Sequence, residues 1–301
     1  MIVREYPNVL RLFLVLQGSV IPRIYKHILF LVGLTVVIML ADRYLFEMPH
    51  TTMQPFLALG VALSLFLGFR NVAAYDRWWQ GRMQWGQLTG CIRAMGHDSR
   101  IYLNDEDRKE ILCLTGAFIH LHRAGLRKDS KAAQPALQYV DDETLDRFQH
   151  SNNPASAALQ EIGTRLADYA REGRLSGYGQ LTFTQRMSDL ELSRTSNEGI
   201  SNTPMPFVYS LLVWQTALLY CMLLPMGLLD SAGILAPAFE GIAGYVFFGL
   251  AAVTDELEHP FSASKNGLPL DALCRSVDIS LAEQLGRTPP PPLEVRYHIL
   301  T

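Results

Sequence analysis

Residues 48–69 read MPHTTMQPFLALGVALSLFLGF, a run without a single formal charge. A helix needs about 20 mainly apolar residues to cross a bilayer, so this run predicts a membrane span. Three more segments have the same apolar character: Ile28–Ala41, Gly199–Leu229, whose apolar part begins near Pro206, and Ser231–Thr254. The sequence therefore predicts an all-α integral membrane protein with four transmembrane helices.

The composition agrees with a membrane protein that also has a large polar part. Of 301 residues, 49% are hydrophobic and 18% are charged, against roughly 25% charged in an average soluble domain. The mean hydropathy is +0.11. A net charge of −3 offers no broad basic surface, which excludes nucleic acid as a partner.

The four spans fall into two pairs with short connections, Asp42–Pro55 and Leu229–Ile234. Each pair is predicted to form a hairpin, and both hairpins enter the membrane from the same side. The N-terminal arm is rich in Arg and Lys, whereas the first connection holds only Arg43. The positive-inside rule then places both termini in the cytoplasm. Leu10–Val20 is predicted to be an amphipathic helix at the inner membrane surface, not a signal peptide.

These observations divide the chain into five segments. Between the hairpins, apolar residues such as Trp85, Leu88 and Ile92 recur at helical spacing, which predicts a helical cytoplasmic region interrupted by a loop near Lys128–Gln138. The predicted segments are the N-terminal arm (1–27), the first hairpin (28–79), the cytoplasmic region (80–198), the second hairpin (199–255) and a C-terminal segment with a Pro-rich tail (256–301).

No catalytic or metal-binding motif stands out in the sequence, so neither an enzyme nor a metal protein is predicted. The four cysteines are widely spaced and are expected to be reduced. The acidic run Asp141–Glu143 is expected to cap a helix. His120 and His122 lie two residues apart, so on a helix they point in different directions and form a poor metal pair.

The second span carries two neighbouring stripes, about 100° apart around the helix axis. Small residues occupy one stripe, in the pattern that lets membrane helices approach closely; they are Gly60, Ser64 and Gly68. Apolar side chains occupy the other: Val61, Leu65 and Phe69. Such an arrangement suits a ring of identical helices around a hydrophobic constriction. From periodicity alone, contact with lipid or with the protein core is the more common explanation.

Three motifs in order resemble the signatures of the bestrophin family, in its bacterial branch. The first is LGFRN at 67–71, followed by Tyr75 and RWW at 77–79. The second is NTPMPFVY at 202–209, and the third is ELEHPF at 256–261 with GLPL at 267–270. Their order and spacing match the family over nearly the whole chain.

The resemblance implies a homopentamer around one axial pore, in a bacterial inner membrane, that conducts monovalent ions passively. The narrow apolar neck of the family corresponds here to Val61, Leu65 and Phe69. A second, cytoplasmic constriction corresponds to Ile200, with Met205 as the alternative. The partners implied are further copies of the chain, the lipid bilayer and the permeant ions.

The sequence departs from the family at the calcium clasp of the animal members. Their acidic run is replaced by SASKNG at 262–267. Calcium prefers six to eight oxygen ligands, several of them carboxylates. Glu256 and Glu258 remain upstream, but calcium gating and any other cofactor are not expected.

The sign of the permeant ion depends on a few charges. Asp76 lies seven residues after Phe69 and continues its face, so five copies would form a carboxylate ring that favours cations, as resemblance to the bacterial members implies. Alternatively, Asp76 pairs with Arg77, Arg82 or a neighbouring subunit. Glu240 is expected either to pair or reach the outer surface, or to belong to the ion path. An anion channel and a membrane scaffold without conductance remain the other candidate functions.

Overall fold

The computed structural model describes residues 1–2, 18–45, 51–295 and 297–301. Within these residues the fold is all-helical, apart from one β-bridge between Ile2 and Ile299. The α-helices are α1 (Ile21–Tyr44), α2 (Gln54–Tyr102), α3 (Asp105–Arg127), α4 (Asp142–Gln149), α5 (Pro154–Arg171), α6 (Gly177–Asn202), α7 (Phe207–Leu223), α8 (Pro225–Ala232), α9 (Ala236–Leu257) and α10 (Leu270–Gln284). Short 3-10 helices cover Ser130–Gln138 and Gly233–Leu235.

The chain divides into two compact units. The first, which we call the membrane unit, comprises residues 18–78 and 204–259. The second, the polar unit, comprises residues 79–203 and 260–301, together with residues 1 and 2. Of the helix predicted at the inner membrane surface, Leu10–Val20, residues 10–17 lie outside the described part of the chain.

Four helical stretches of the described chain are long and apolar enough to cross a membrane, as predicted: Ile21–Tyr44, Gln54–Tyr102, Gly177–Leu223 and Pro225–Leu257. In the membrane unit, α1 packs along α9. Two glycines of α9 allow this approach, because a Cβ at Gly241 would lie 3.3 Å from Val32 and one at Gly244 would lie 3.3 Å from Leu31.

Prolines explain why the spans differ from their predicted bounds. α1 begins at Ile21, inside the predicted N-terminal arm, since Pro22 suits the first turn of a helix. The predicted span Gly199–Leu229 is not continuous: α6 ends at Asn202, α7 begins at Phe207, and Pro225 opens α8. Proline has no N–H to donate, so a helix ends or restarts where it occurs.

The polar unit is a helical assembly, as predicted for the region between the hairpins. Side-chain caps set the start of several of its helices, and Asp141 accepts a hydrogen bond from the Thr144 N–H at 2.9 Å. The predicted capping role of the acidic run is therefore confirmed. The prediction of a loop near Lys128–Gln138 is wrong, because residues Ser130–Gln138 form a 3-10 helix. The side chain of Asp129 caps the start of this helix.

His122 is one of the fully buried groups of the polar unit. Its ring stacks on Trp85 and Phe118, with centroids 5.7 and 6.0 Å away. Its Nε2 lies 3.3 Å from the amide nitrogen of Asn197. Burial, aided by the positive charge of Arg194, lowers the pKa of His122 from 6.5 to about 3.

This shift predicts an acid-sensitive stability of the polar unit. His122 takes up its proton near pH 6.5 when unfolded but only near pH 3 when folded, so stability is complete above pH 6.5 and falls as the pH drops towards 3. The loss amounts to a few kcal/mol at most, roughly 1.4 per pH unit. In thermal unfolding at pH 7.5 and pH 5, His122→Gln should reduce the pH dependence. The exposed His150→Gln is the control, and an equal effect of both variants would contradict the assignment.

Candidate functional site

The N-terminal half of α2 has one face that packs into its own chain. The buried positions recur at helical spacing and are Leu63, Leu67, Arg70 and Ala74. Leu63 and Leu67 belong to the core that α1, α7 and α9 form together. This face fixes the rotation of α2 within the membrane unit.

The predicted neck residues lie on the opposite face. Positions two apart on an α-helix differ by about 200°, so Val61, Leu65 and Phe69 point away from the buried face. Their exposed fractions are 63%, 56% and 72%. Val61 to Phe69 spans about 12 Å along the helix axis. The stripe is thus a continuous apolar surface that no described part of the chain covers.

The small-residue stripe is divided between two environments. A Cβ at Gly60 would lie 2.8 Å from the Tyr220 hydroxyl oxygen on α7, so Gly60 permits a contact within the same chain. Nothing in the described chain comes within 4 Å of a Cβ at Gly68. Ser64 is exposed, and its hydroxyl donates to the Gly60 carbonyl at 2.7 Å. Close packing against another copy therefore stays a prediction for Ser64 and Gly68.

Arg70, directly after Phe69, is the centre of a buried ionic network. Only 4% of Arg70 is exposed. Its Nη2 donates to Asp255 at 2.7 Å and to the Ser210 hydroxyl at 2.7 Å. Glu258 Oε2 lies 3.4 Å from the same nitrogen. The charge of Arg70 is thereby balanced by two carboxylates of the α9 end, on the face of α2 away from the stripe.

Glu258 extends this network to the segment between α6 and α7. Its Oε1 accepts the backbone N–H of Met205 at 2.9 Å. Its carbonyl accepts from Arg77 Nε at 2.8 Å. One acidic residue thus connects the base of the stripe on α2 with the start of α7. The sequence analysis missed this link, although three acidic residues at the end of an apolar helix signal a need for positive partners.

Comparison with known proteins identifies the family. The sequence profile described as Bacterial/Fungal Bestrophin protein matches residues 1–283. The chain belongs to the bestrophin family. A solved bacterial bestrophin homolog from Klebsiella pneumoniae is similar to this bestrophin with a TM-score of 0.84 and 26% identity, over 88% of this chain and 100% of that one. The all-helical fold with its four apolar stretches is therefore that of a membrane protein of this family.

Curated relatives of this bestrophin bear channel names. The voltage-dependent anion channel-forming protein mll4386 of Mesorhizobium japonicum is 38% identical over 294 residues, 96% of this chain and 94% of the relative. The voltage-dependent anion channel-forming protein YneE of Escherichia coli K12 is 36% identical over 286 residues, 94% of this chain and 93% of the relative. The three sequence motifs thus led to the right family.

The two candidates for the cytoplasmic constriction of this bestrophin lie on either side of the α6–α7 break. Ile200 is half-buried in the last turn of α6. Met205 is half-buried in the connecting segment, where its N–H is held by Glu258. The constriction stays a prediction for Ile200, with Met205 as the alternative.

The segment SASKNG at 262–267, which by family resemblance corresponds to the animal calcium clasp, contains hydrogen bonds between its own residues. The Ser262 hydroxyl donates to Ser264 Oγ at 3.0 Å, and a Cβ at Gly267 would lie 2.3 Å from the Ser262 carbonyl oxygen. This segment, SASKNG, carries no carboxylate. In the membrane unit, Glu256 lies 3.2 Å from Arg23 and Glu258 is engaged by Arg70. The absence of a calcium site stays a prediction.

The two charges singled out in the spans have opposite surroundings. Asp76 is exposed on α2, and no ion pair or hydrogen bond joins it to another described residue, so no pairing with Arg77 or Arg82 is seen in the described chain. Glu240 is fully buried in α9 beside Cys221. Because Glu240 is 0% exposed in the described chain, the alternative that placed it at the outer surface is wrong. Pairing and a place in the ion path stay predictions.

Proposed function

We propose that this protein is a passive channel for monovalent ions, assembled from identical copies whose α2 helices surround one axial path. Family resemblance implies five copies. In this assembly Val61, Leu65 and Phe69 form an apolar neck, where a column of water and ions is unfavourable unless the path widens. The channel lies in the bacterial inner membrane with both termini in the cytoplasm, and it needs no cofactor.

The observation that carries the proposal is the uncovered stripe opposite the buried face of α2. A helix at the edge of a bundle exposes apolar side chains to lipid, but the stripe of α2 leads directly to the exposed carboxylate of Asp76. Charge is costly against hydrocarbon and is normally found on water-filled surfaces. A stripe that faces a water-containing axis accounts for both features.

Asp76 is proposed to favour cations. It lies about 10 Å beyond Phe69 along α2, on nearly the same face. Copies of this carboxylate around the axis would make a negative ring next to the neck, which attracts cations and repels anions. Arg70 does not oppose this effect, because its charge is balanced by Asp255 and Glu258.

This assignment predicts a change of selectivity when the carboxylate is removed. Asp76→Asn should move the reversal potential in a sodium chloride gradient towards the chloride equilibrium potential, since the ring loses its charge. The measurement is planar-bilayer recording from purified protein. The exposed Asp142→Asn on α4 is the matched control. An unchanged reversal potential in Asp76→Asn would exclude Asp76 from selectivity.

An anion channel is the second candidate, because the curated relatives are named voltage-dependent anion channel-forming proteins. Measurements of ion flux in proteoliposomes distinguish a cation channel from an anion channel. Cation conduction predicts uptake of radioactive sodium that persists when chloride is replaced by gluconate. Anion conduction predicts chloride efflux that persists when sodium is replaced by N-methylglucamine. Absence of both fluxes would favour a scaffold and contradict the channel.

A further inference from the structure

The polar unit contains a cavity of about 380 Å³ whose lining is rich in hydrogen-bonding groups. Cavities of this size are in the range of small-molecule sites. Seven polar residues contribute to the lining: His120, Arg123, Gln134, Gln138, Asp271, Arg275 and Asp278. All of them belong to α3, the 3-10 helix Ser130–Gln138 or α10, so the cavity is built by well-packed helices of one unit.

One side of the cavity offers unpaired donors. Arg275 is half-buried and makes no ion pair or hydrogen bond with any residue that the structure describes. Arg123, in contrast, is paired with Asp271 at 3.1 Å. A guanidinium group presents a planar fork of N–H donors that matches a carboxylate in a bidentate manner. The free fork of Arg275 is therefore suited to a carboxylate.

Asp278, one turn after Arg275 on the same helix, offers an unpaired acceptor held in a fixed position. Asp278 is 5% exposed, and its Oδ1 is the oxygen that contacts His120 at 2.8 Å and accepts from the Tyr139 hydroxyl at 2.9 Å. Gln138 adds a contact to the same oxygen at 3.3 Å. In the described chain, nothing hydrogen-bonds to Oδ2. Burial raises the pKa of Asp278, but the contact with His120, the hydrogen bond from Tyr139 and the nearby charge of Arg275 outweigh it. The net effect lowers the pKa, so the carboxylate is charged.

His120 holds the Asp278 carboxylate in position at the cavity wall. The residue is 1% exposed, and its Nε2 lies 2.8 Å from Asp278 Oδ1. This buried contact fixes the orientation of the carboxylate, so Oδ2 is the oxygen left for a ligand.

We propose that this cavity binds a small α-amino or α-hydroxy acid, with its carboxylate on Arg275 and its ammonium or hydroxyl group on Asp278. The shared chemistry is a carboxylate next to a hydrogen-bond donor. Arg275 and Asp278 are three residues apart on α10, so they lie on the same face about one turn apart, a separation that such a compact molecule can bridge. Inorganic phosphate fits less well, because its second negative charge would lie beside Asp278.

Three nearly isosteric probes test the site: L-alanine, L-lactate and propionate, which differ only in an ammonium, a hydroxyl or a hydrogen on the α-carbon. Calorimetric titration of the full-length protein in detergent should show alanine or lactate binding about tenfold more tightly than propionate. A preference for alanine over lactate identifies an amino acid site, and the reverse identifies a hydroxy acid site. Equal affinity of all three probes, or tighter binding of phosphate, would overturn the proposal.

Arg275→Gln should weaken binding of the preferred probe at least about tenfold, since the charged fork is lost. Arg275→Lys should restore only part of the affinity, because an ammonium group binds a carboxylate without the bidentate geometry. The exposed Arg171→Gln on α5 is the control and should bind as the wild type does. If the wild type binds none of the three probes at concentrations up to about 10 mM, the proposal is overturned, because a dissociation constant above that value does not indicate a specific site. Unchanged binding by Arg275→Gln, with an unaltered melting temperature, would overturn it as well.

Discussion

Replacing Val61, Leu65 and Phe69 together with Ala is expected to raise ion flux at least about tenfold. The three side chains form the exposed apolar stripe of α2. Their truncation would widen the proposed neck and lower the free-energy cost of filling it with water. A barrier reduction of only about 1.4 kcal/mol gives a tenfold increase in rate. The flux of radioactive sodium into proteoliposomes, normalised to the amount of protein, measures the effect.

The matched control removes a similar apolar surface from another helix. Leu29, Val37 and Leu40 are exposed on α1, and their triple Ala variant takes away comparable volume without touching α2. Its flux should equal that of the wild type. If both triple variants leak equally, the increase reflects a loosened fold. If the stripe variant conducts as the wild type does, the stripe is not the neck.

Arg70→Gln is expected to destabilise the membrane unit by about 3 kcal/mol. The substitution leaves Asp255 and Glu258 together without their shared positive charge, and the Glu258 side chain is only 8% exposed. Removing one partner of a buried pair costs far more than removing the whole pair. Arg70→Gln combined with Glu258→Gln should therefore recover part of the loss. The apparent melting temperature in detergent is the measurement.

Arg23→Gln is the matched control for this prediction. Arg23 also pairs with a glutamate at the end of α9, but its side chain is 56% exposed. Exposed ion pairs contribute about 0–1 kcal/mol, so this variant should melt close to the wild type. Equal melting temperatures of Arg70→Gln and Arg23→Gln would show that the Arg70 network does not hold the unit together.

The fold class could be predicted from the sequence because local properties determine it. The uncharged run Met48–Phe69 is long enough to cross a bilayer, and the spacing of Val61, Leu65 and Phe69 fixes them on one helix face regardless of tertiary packing. Proline effects were visible in the sequence too, at Pro206 and Pro225, but their consequence for helix bounds depends on which neighbouring residues compensate for the missing N–H.

Contacts between distant parts of the chain could not be predicted. Arg70 and Asp255 are 185 residues apart, and no periodicity links them. The burial of Glu240 likewise depends on how α7 and α8 pack against α9, which one-dimensional hydropathy does not report. The role of His120 could not be predicted from the sequence, because its partner Asp278 lies on α10 and approaches α3 only in the tertiary fold.

Planar-bilayer recording from the purified wild type and the stripe triple variant tests whether this bestrophin conducts ions through an apolar neck. We expect discrete unitary current steps in the wild type, with a larger conductance or a longer open time when Val61, Leu65 and Phe69 are Ala. In a sodium chloride gradient, the reversal potential should lie between zero and the sodium equilibrium potential. Silent membranes with both proteins, under conditions in which each is correctly assembled, would show that the protein is not a channel.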